Sequence, residues 1–212
     1  MKTVTMDARV TSAIQSAREV ILTRGLIAYP TDTVYGLSAS PFQETAIERI
    51  FAAKGRDFNK AIAILVGDLE QLPLVTSSFT ESAEALARKF WPGALTLVVP
   101  IASTLPGIIS PFPTIGIRIP NHPFALTLLR ALGPLATTSA NISGQPDATN
   151  AAQVLEQLDG RVDLILDGGA SPGGVPSTVV DCCQPQIRIL RQGAISQVEI
   201  EKVLDSAAGN SN

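Results

Sequence analysis

An α/β fold, a sheet covered by helices, is what this sequence predicts. Three observations carry it. Apolar residues recur at helical spacing in some segments, short strand-like apolar runs lie between them, and Gly, Pro or polar clusters separate the two kinds. Hydrophobic residues make up 45% and charged residues 17% of the 212, which is enough apolar material for one core in one domain.

Over residues 7–24, Val10, Ala13, Ile14, Ala17 and Ile21 follow a helical period, and Gly25 supplies a stop. Residues 26–29 form an apolar run ended by Pro30. Thr31, Asp32, Thr33 and then Gly36 follow, so this reads as a strand delivering a polar loop able to meet a ligand. A helix over 44–53 puts Ile47, Ile50 and Phe51 on one face and ends at Lys54-Gly55-Arg56, with a strand over 61–66 beyond it. Helices are expected over 80–90 and 124–132, and strands over 94–99, 114–119 and 135–138. The last third adds a helix over 151–158, strands over 164–166, 178–182 and 188–191, and a closing helix over 196–205. No tandem repeat or heptad seam is visible. Residues 1–205 read as one continuous domain and 206–212 as a flexible tail.

Several function classes fall away. Every apolar run is broken well short of the roughly 18 residues a membrane span needs, and the first twenty residues lack the apolar stretch of a secretory signal. A soluble, cytoplasmic protein with no membrane partner is expected. The only cysteines, Cys182 and Cys183, are adjacent on an expected strand and so point to opposite faces, which argues against a disulfide framework and a thiolate metal site. A net charge of −3 disfavours bulk electrostatic binding of nucleic acid. Yet Lys54, Arg56, Lys60, Arg118 and Arg191 sit in or beside apolar or Gly-rich segments, where solubility alone would not put them.

Lys54, Arg56 and Lys60 cluster at a helix-to-strand junction, as a triphosphate clamp requires; a solvated charge run favoured by the helix dipole has the same spacing. The segment Thr137-Thr138-Ser139-Ala140-Asn141-Ile142-Ser143-Gly144 follows an apolar strand with four hydroxyls and an amide, suited either to ligand oxygens or to capping a helix. The order of strand and then hydroxyl loop recurs at residues 29–33 and at Ser177-Thr178. Arg118 alternates with Ile117 and Ile119, so it faces away from them, toward a carboxylate or toward solvent. Arg191 has the same two readings. His122 reads as a surface or capping residue, with no catalytic role. Residues 168–174 are Gly-rich but lack the Lys-Ser/Thr ending of a P-loop, so a lid is the better reading. No Ser-His-Asp set or zinc cluster can be assembled.

Taken together, Tyr29-Pro30-Thr31-Asp32-Thr33-Val34-Tyr35-Gly36-Leu37, the Lys54/Arg56 pair, Trp91-Pro92-Gly93-Ala94-Leu95-Thr96, Ser139-Ala140-Asn141 and Ser177-Thr178-Val179-Val180-Asp181 resemble the threonylcarbamoyl-AMP synthase family, built on the YrdC-like domain. The resemblance runs from about the first helix to Arg191. It implies a twisted, open mixed sheet with flanking helices and a concave basic cavity, in which L-threonine, bicarbonate and ATP give threonylcarbamoyl-AMP and pyrophosphate. It further implies Mg2+ on the triphosphate, and transfer of the product to a tRNA threonylcarbamoyltransferase, with a weak tRNA contact. By position in the motifs, Thr33, Arg118, Thr137 and Ser177 would hold threonine. Lys54, Arg56, Lys60, Thr114, Ser139, Asn141 and Arg191 would hold the nucleotide, with Lys54 and Arg56 catalytic.

The sequence departs from the family at Leu65, where many members carry histidine, and at Asp147, where many carry serine or threonine. It resembles the short form of the family, without a further C-terminal domain. Two alternatives share the fold: a YciO-type paralogue or RNA-binding module without this activity, and a carbamoyl-adenylate step like that of hydrogenase-maturation proteins. Intact Lys54, Arg56, Ser139, Asn141 and Arg191 favour the enzyme.

Overall fold

The computed structural model describes residues 2–172, 174–184 and 186–209. The chain opens with strand β1 (Val4–Asp7), which the sequence reading left unassigned; the helix expected over 7–24 starts only at Ala13. Asp7 separates the two elements. Its carboxylate takes the Arg9 backbone N–H at 2.9 Å and the Arg9 guanidinium at 2.7 to 3.2 Å, an Asx-type turn that ends the strand. Helix α1 (Ala13–Leu22) then buries Ala13, Ala17 and Ile21, one face at four-residue spacing.

Strand β2 (Ile27–Tyr29) leads through the polar loop into β3 (Gly36–Ala39), a strand the sequence did not announce. Gly-Leu-Ser-Ala has little intrinsic strand preference and is extended because it is paired on both sides. Helix α2 (Glu44–Lys54) stops at Gly55, whose φ of 59° is a left-handed cap that glycine takes without strain. The elements that follow are β4 (Ala63–Leu65), α3 (Glu81–Phe90), β5 (Leu95–Pro100), β6 (Thr114–Arg118), α4 (Pro123–Leu132) and β7 (Leu135–Ser139). The chain ends with α5 (Ala151–Leu158), β8 (Leu164–Asp167), β9 (Thr178–Asp181), β10 (Arg188–Arg191) and α6 (Gln197–Gly209). Helix α6 takes in residues 206–209, which had been read as tail; residues 210–212 lie outside the described residues.

Among the described residues, ten strands join one mixed sheet in the order β1-β8-β2-β3-β7-β4-β6-β5-β9-β10. The expected single core is divided by this sheet into two apolar clusters. Alternation along β2 shows why: Leu26 and Ala28 belong to one cluster, Ile27 and Tyr29 to the other. The larger cluster packs α2, α3, α5 and α6 on one face, through residues such as Ile50, Phe51, Leu86, Leu158 and Ile200. On the other face α1 and α4 cover the strands near β8 and β2 with Ala17, Ile21, Leu128 and Leu129. Beyond those two helices the second face stays open, and the cavity described below lies there.

Helix α3 begins with Thr80, whose hydroxyl accepts the Ala83 N–H at 3.2 Å and donates to the Cys182 carbonyl at 3.1 Å. The Thr80→Ala variant should lose about 1 kcal/mol of unfolding free energy in urea titration, with the far-ultraviolet spectrum unchanged.

Candidate functional site

A cavity of about 450 Å³ sits on the open face of the sheet, with β3, β7, β4, β6, β5 and β9 as its floor. Its lining follows strand alternation. In β6, Ile115 and Ile117 enter the larger core, while Thr114, Gly116 and Arg118 line the cavity. Small residues Gly36, Ala63 and Gly116 leave the room that larger side chains would fill.

Arg118 is 5% exposed and engaged on three sides. Its Nε donates to the Gly93 carbonyl at 2.8 Å, Nη1 to Thr33 Oγ1 at 3.0 Å and Nη2 to Asp32 Oδ1 at 2.5 Å. Burial lowers its pKa and Asp32 opposes that. The arginine thus joins the loop after β2 to the Trp91-Pro92-Gly93 turn, and N–H groups remain for a ligand carboxylate. Asp32 has no role in the sequence reading; the signal available there is a lone carboxylate in the polar loop after an apolar strand.

Of the expected phosphate clamp, Arg56 lines the cavity, oriented by its donation to the Ala61 carbonyl at 2.9 Å. Lys60 is exposed and lies outside the lining. Lys54 is 2% exposed, with its ammonium spent within the protein: on the Ser139 carbonyl at 2.5 Å, the Asn141 carbonyl at 2.6 Å and Asn141 Oδ1 at 3.2 Å. A buried lysine needs such partners, and these ones fix the hydroxyl loop. Ser139 Oγ donates to Asn141 Oδ1 at 2.5 Å, and the Asn141 amide donates to the carbonyls of Ile142 and Gln145. Ser139 therefore reaches the lining, and Asn141 stands behind it.

At the other end, Arg191 donates to the Ser177 carbonyl at 2.8 Å and to Ser177 Oγ at 3.2 Å, and Ser177 Oγ lies 2.8 Å from Thr96 Oγ1. Thr33, Thr114, Thr137, Ser177 and Arg191 all line the cavity with Arg56, Arg118 and Ser139. Thr31, Thr96 and Thr138, which belong to the polar loops and motifs of the sequence but have no individual role there, also line it, as do Phe112 and Leu190, which sequence reading missed. Leu65 sits on the wall, held by the α1/α4 cluster, and Asp147 faces into the cavity. Its negative charge raises the pKa values of Lys54 and Arg191, against the lowering by burial.

His122 caps α4, accepting the Ala125 N–H at 3.4 Å. Cys182 and Cys183 are free, and burial pushes both thiols up to about 12, so neither is a thiolate at neutral pH. In the Gly-rich segment, Gly174 donates its N–H to the Thr33 carbonyl at 2.8 Å; Gly173 lies outside the described residues. Among the described residues no group of three or more His, Cys, Asp or Glu could hold a metal ion, and no helix is long and apolar enough to cross a membrane.

The family model Sua5_yciO_yrdC, described as "Telomere recombination", matches residues 19–193. The chain belongs to this family. The threonylcarbamoyl-AMP synthase of Pyrococcus abyssi is 43% identical over 181 residues, 84% of this chain and 53% of the relative. That of Bacillus subtilis is 39% identical over 203 residues, 94% of this chain and 58% of the relative. The chain thus spans somewhat over half the length of these two family members. The crystal structure of P. abyssi Sua5 complexed with L-threonine superposes with a TM-score of 0.90 at 40% identity, covering 96% of this chain and 61% of that one. A mixed α/β sheet with flanking helices is therefore the family's fold, as the motifs implied.

Two measurements test the site's architecture. Asp32→Ala leaves a buried guanidinium without its counter-charge and should cost about 3 kcal/mol in chemical denaturation. Burial, aided by Arg56 and opposed by Asp147, lowers Lys54 from 10.5 to about 8. Between those values the unfolded chain binds the extra proton, so stability attributable to Lys54 rises with pH across that window. Relative to Lys54→Met, the wild type should gain roughly 1 to 3 kcal/mol between pH 8 and 10.

Proposed function

We propose that the chain is an L-threonylcarbamoyladenylate synthase, a nucleotidyltransferase acting on L-threonine, bicarbonate and ATP. The observation that carries the reading is the sharing of one cavity by two groups of side chains. Thr33, Arg118, Thr137 and Ser177 suit a small zwitterion, and Arg56, Thr114, Ser139 and Arg191 suit phosphates. The names of the relatives and the threonine bound to P. abyssi Sua5 agree with it. No observation favours the paralogue without this activity.

In this reading the threonine amine and bicarbonate give a carbamate and water. A carbamate oxygen then attacks the α-phosphorus of ATP, the bond between the α-phosphorus and the bridging oxygen breaks, and pyrophosphate leaves. The protein aligns the reactants and answers the charge that develops on the phosphates, which needs cations and oriented donors rather than a nucleophile. Arg56, held on the Ala61 carbonyl, and Arg191, held on Ser177, supply charge from two parts of the lining. Lys54 and Asn141 act by holding the loop that presents Ser139, while Lys60 would have to swing in from outside. Mg2+ would come with the triphosphate, and Asp147 is the carboxylate on the cavity wall suited to a hard cation. The cytoplasm is the proposed compartment, and the adenylate would pass to a tRNA threonylcarbamoyltransferase with a weak tRNA contact.

Pyrophosphate release from ATP should require both L-threonine and bicarbonate; release indifferent to threonine would sink the assignment. Arg56→Ala should keep a native circular-dichroism spectrum while turnover falls about 100-fold or more.

A further inference from the structure

One cavity side chain has the wrong charge for the ligand that its neighbours suit. Asp147 faces the same space as Arg56, Ser139 and Arg191, and a bare carboxylate there repels phosphate oxygens. Its placement is fixed, because the backbone carrying it is tied on both sides. Before it, the Asn141 amide donates to the Gln145 carbonyl at 2.7 Å and the Gln157 amide to the Pro146 carbonyl at 3.1 Å. After it, Tyr35 donates its N–H to the Ala148 carbonyl at 2.9 Å, and Ser171 donates its N–H to the Thr149 carbonyl at 2.7 Å. Ala148 is anchored in the larger core, and Asp147 beside it lines the cavity.

The carboxylate itself is uncommitted: it makes no hydrogen bond and no ion pair among the described residues. The cations nearest to it in charge are bound elsewhere, Lys54 to the carbonyls of Ser139 and Asn141, and Arg191 to the carbonyl and hydroxyl of Ser177. Burial lowers the pKa of both cations, and the charge of Asp147 works against that lowering in each. Its oxygens therefore remain for a cation that arrives with a ligand. Mg2+ answers that description, since it keeps several waters and takes one or two carboxylates together with substrate phosphates in place of an all-protein cage. Among the described residues no larger cluster of acidic, His or Cys side chains competes for it.

We infer that Asp147 is a direct ligand of the Mg2+ carried by ATP, and that it makes the cavity select the metal complex of the nucleotide over the free nucleotide. The inference rests on the reading of the cavity as an ATP site. Arg56 and Arg191 alone would favour free ATP, the more negative form. The carboxylate reverses that order, because it repels bare phosphates and attracts the complex through its cation. With its loop already tied down, it meets the metal without first having to be ordered.

Titration calorimetry with ATP, in Mg2+ and in EDTA, tests it. The wild type should bind ATP at least about 30-fold more tightly with Mg2+; equal affinity in the two conditions overturns the inference. Asp147→Asn keeps the shape and removes the charge. It should bind metal-free ATP about tenfold more tightly than the wild type does, and its preference for the metal complex should fall to about threefold or less. A loss of affinity equal in both conditions would make Asp147 a hydrogen-bond acceptor for the nucleotide and overturn the metal role. Direct ligation is read from Asp147→Cys, whose thiolate suits Cd2+ better than Mg2+. The ratio of ATP affinity in Cd2+ to that in Mg2+ should rise at least about tenfold over the wild-type ratio; an unchanged ratio overturns ligation. If either variant does not fold, the two conditions on the wild type still decide whether the metal complex is selected. No binding of ATP to the wild type in Mg2+ would instead overturn the nucleotide reading, and this inference with it.

Discussion

A guanidinium sunk into the open face of a sheet must be answered from every side, and the geometry around Arg118 follows from that requirement. Asp32 supplies the counter-charge, Thr33 a hydroxyl and Gly93 a carbonyl, from two loops far apart in sequence. Once those partners are set, the loop after β2 has little freedom left, and its threonines point where the cavity needs them. The pair is costly to build in isolation, since desolvating two charges offsets much of their attraction. Its value lies in holding two loops in one arrangement.

Lys54 does for the opposite wall what Arg118 does for this one. Its ammonium gathers two carbonyls and an amide oxygen of the segment after β7, so the end of α2 and the end of β7 become one unit. Both cations lie at the ends of apolar elements, where the burial that makes them expensive also makes their bonds directional and strong. Between them the floor is lined by small side chains. The cavity exists because α1 and α4 stop short of it and the strands beneath carry glycine and alanine.

Much of this was legible in the sequence. Helical spacing located α2 to α5 to within a few residues, and β10 and α5 coincide with the expected ranges. The alternation that turned Arg118 away from Ile117 holds in the sheet. The failures have physical causes. Strands β1 and β3 have short, weakly patterned sequences; β1 owes its form to β8, and β3 is held between β2 and the distant β7, which no local window contains. At the site, spacing brought Lys54, Arg56 and Lys60 together as one clamp. It could not show that a lysine at a buried helix end turns inward to backbone carbonyls while one six residues on faces solvent. Asp32 escaped notice because a buried ion pair is a tertiary contact, 86 residues apart in this chain.

The position of β8 has a consequence for how the molecule assembles. It lies between β1 and β2, pairing in parallel with both, although well over half of the chain separates it from them. Only β2 with β3, β5 with β6 and β9 with β10 are antiparallel neighbours in both sequence and space. Those three hairpins can close early at small entropic cost, whereas β8 has to enter a slot whose sides were made more than a hundred residues before it. During synthesis, then, the first helix and the strands beside it wait as an unfinished edge until the last third of the chain arrives to seal them.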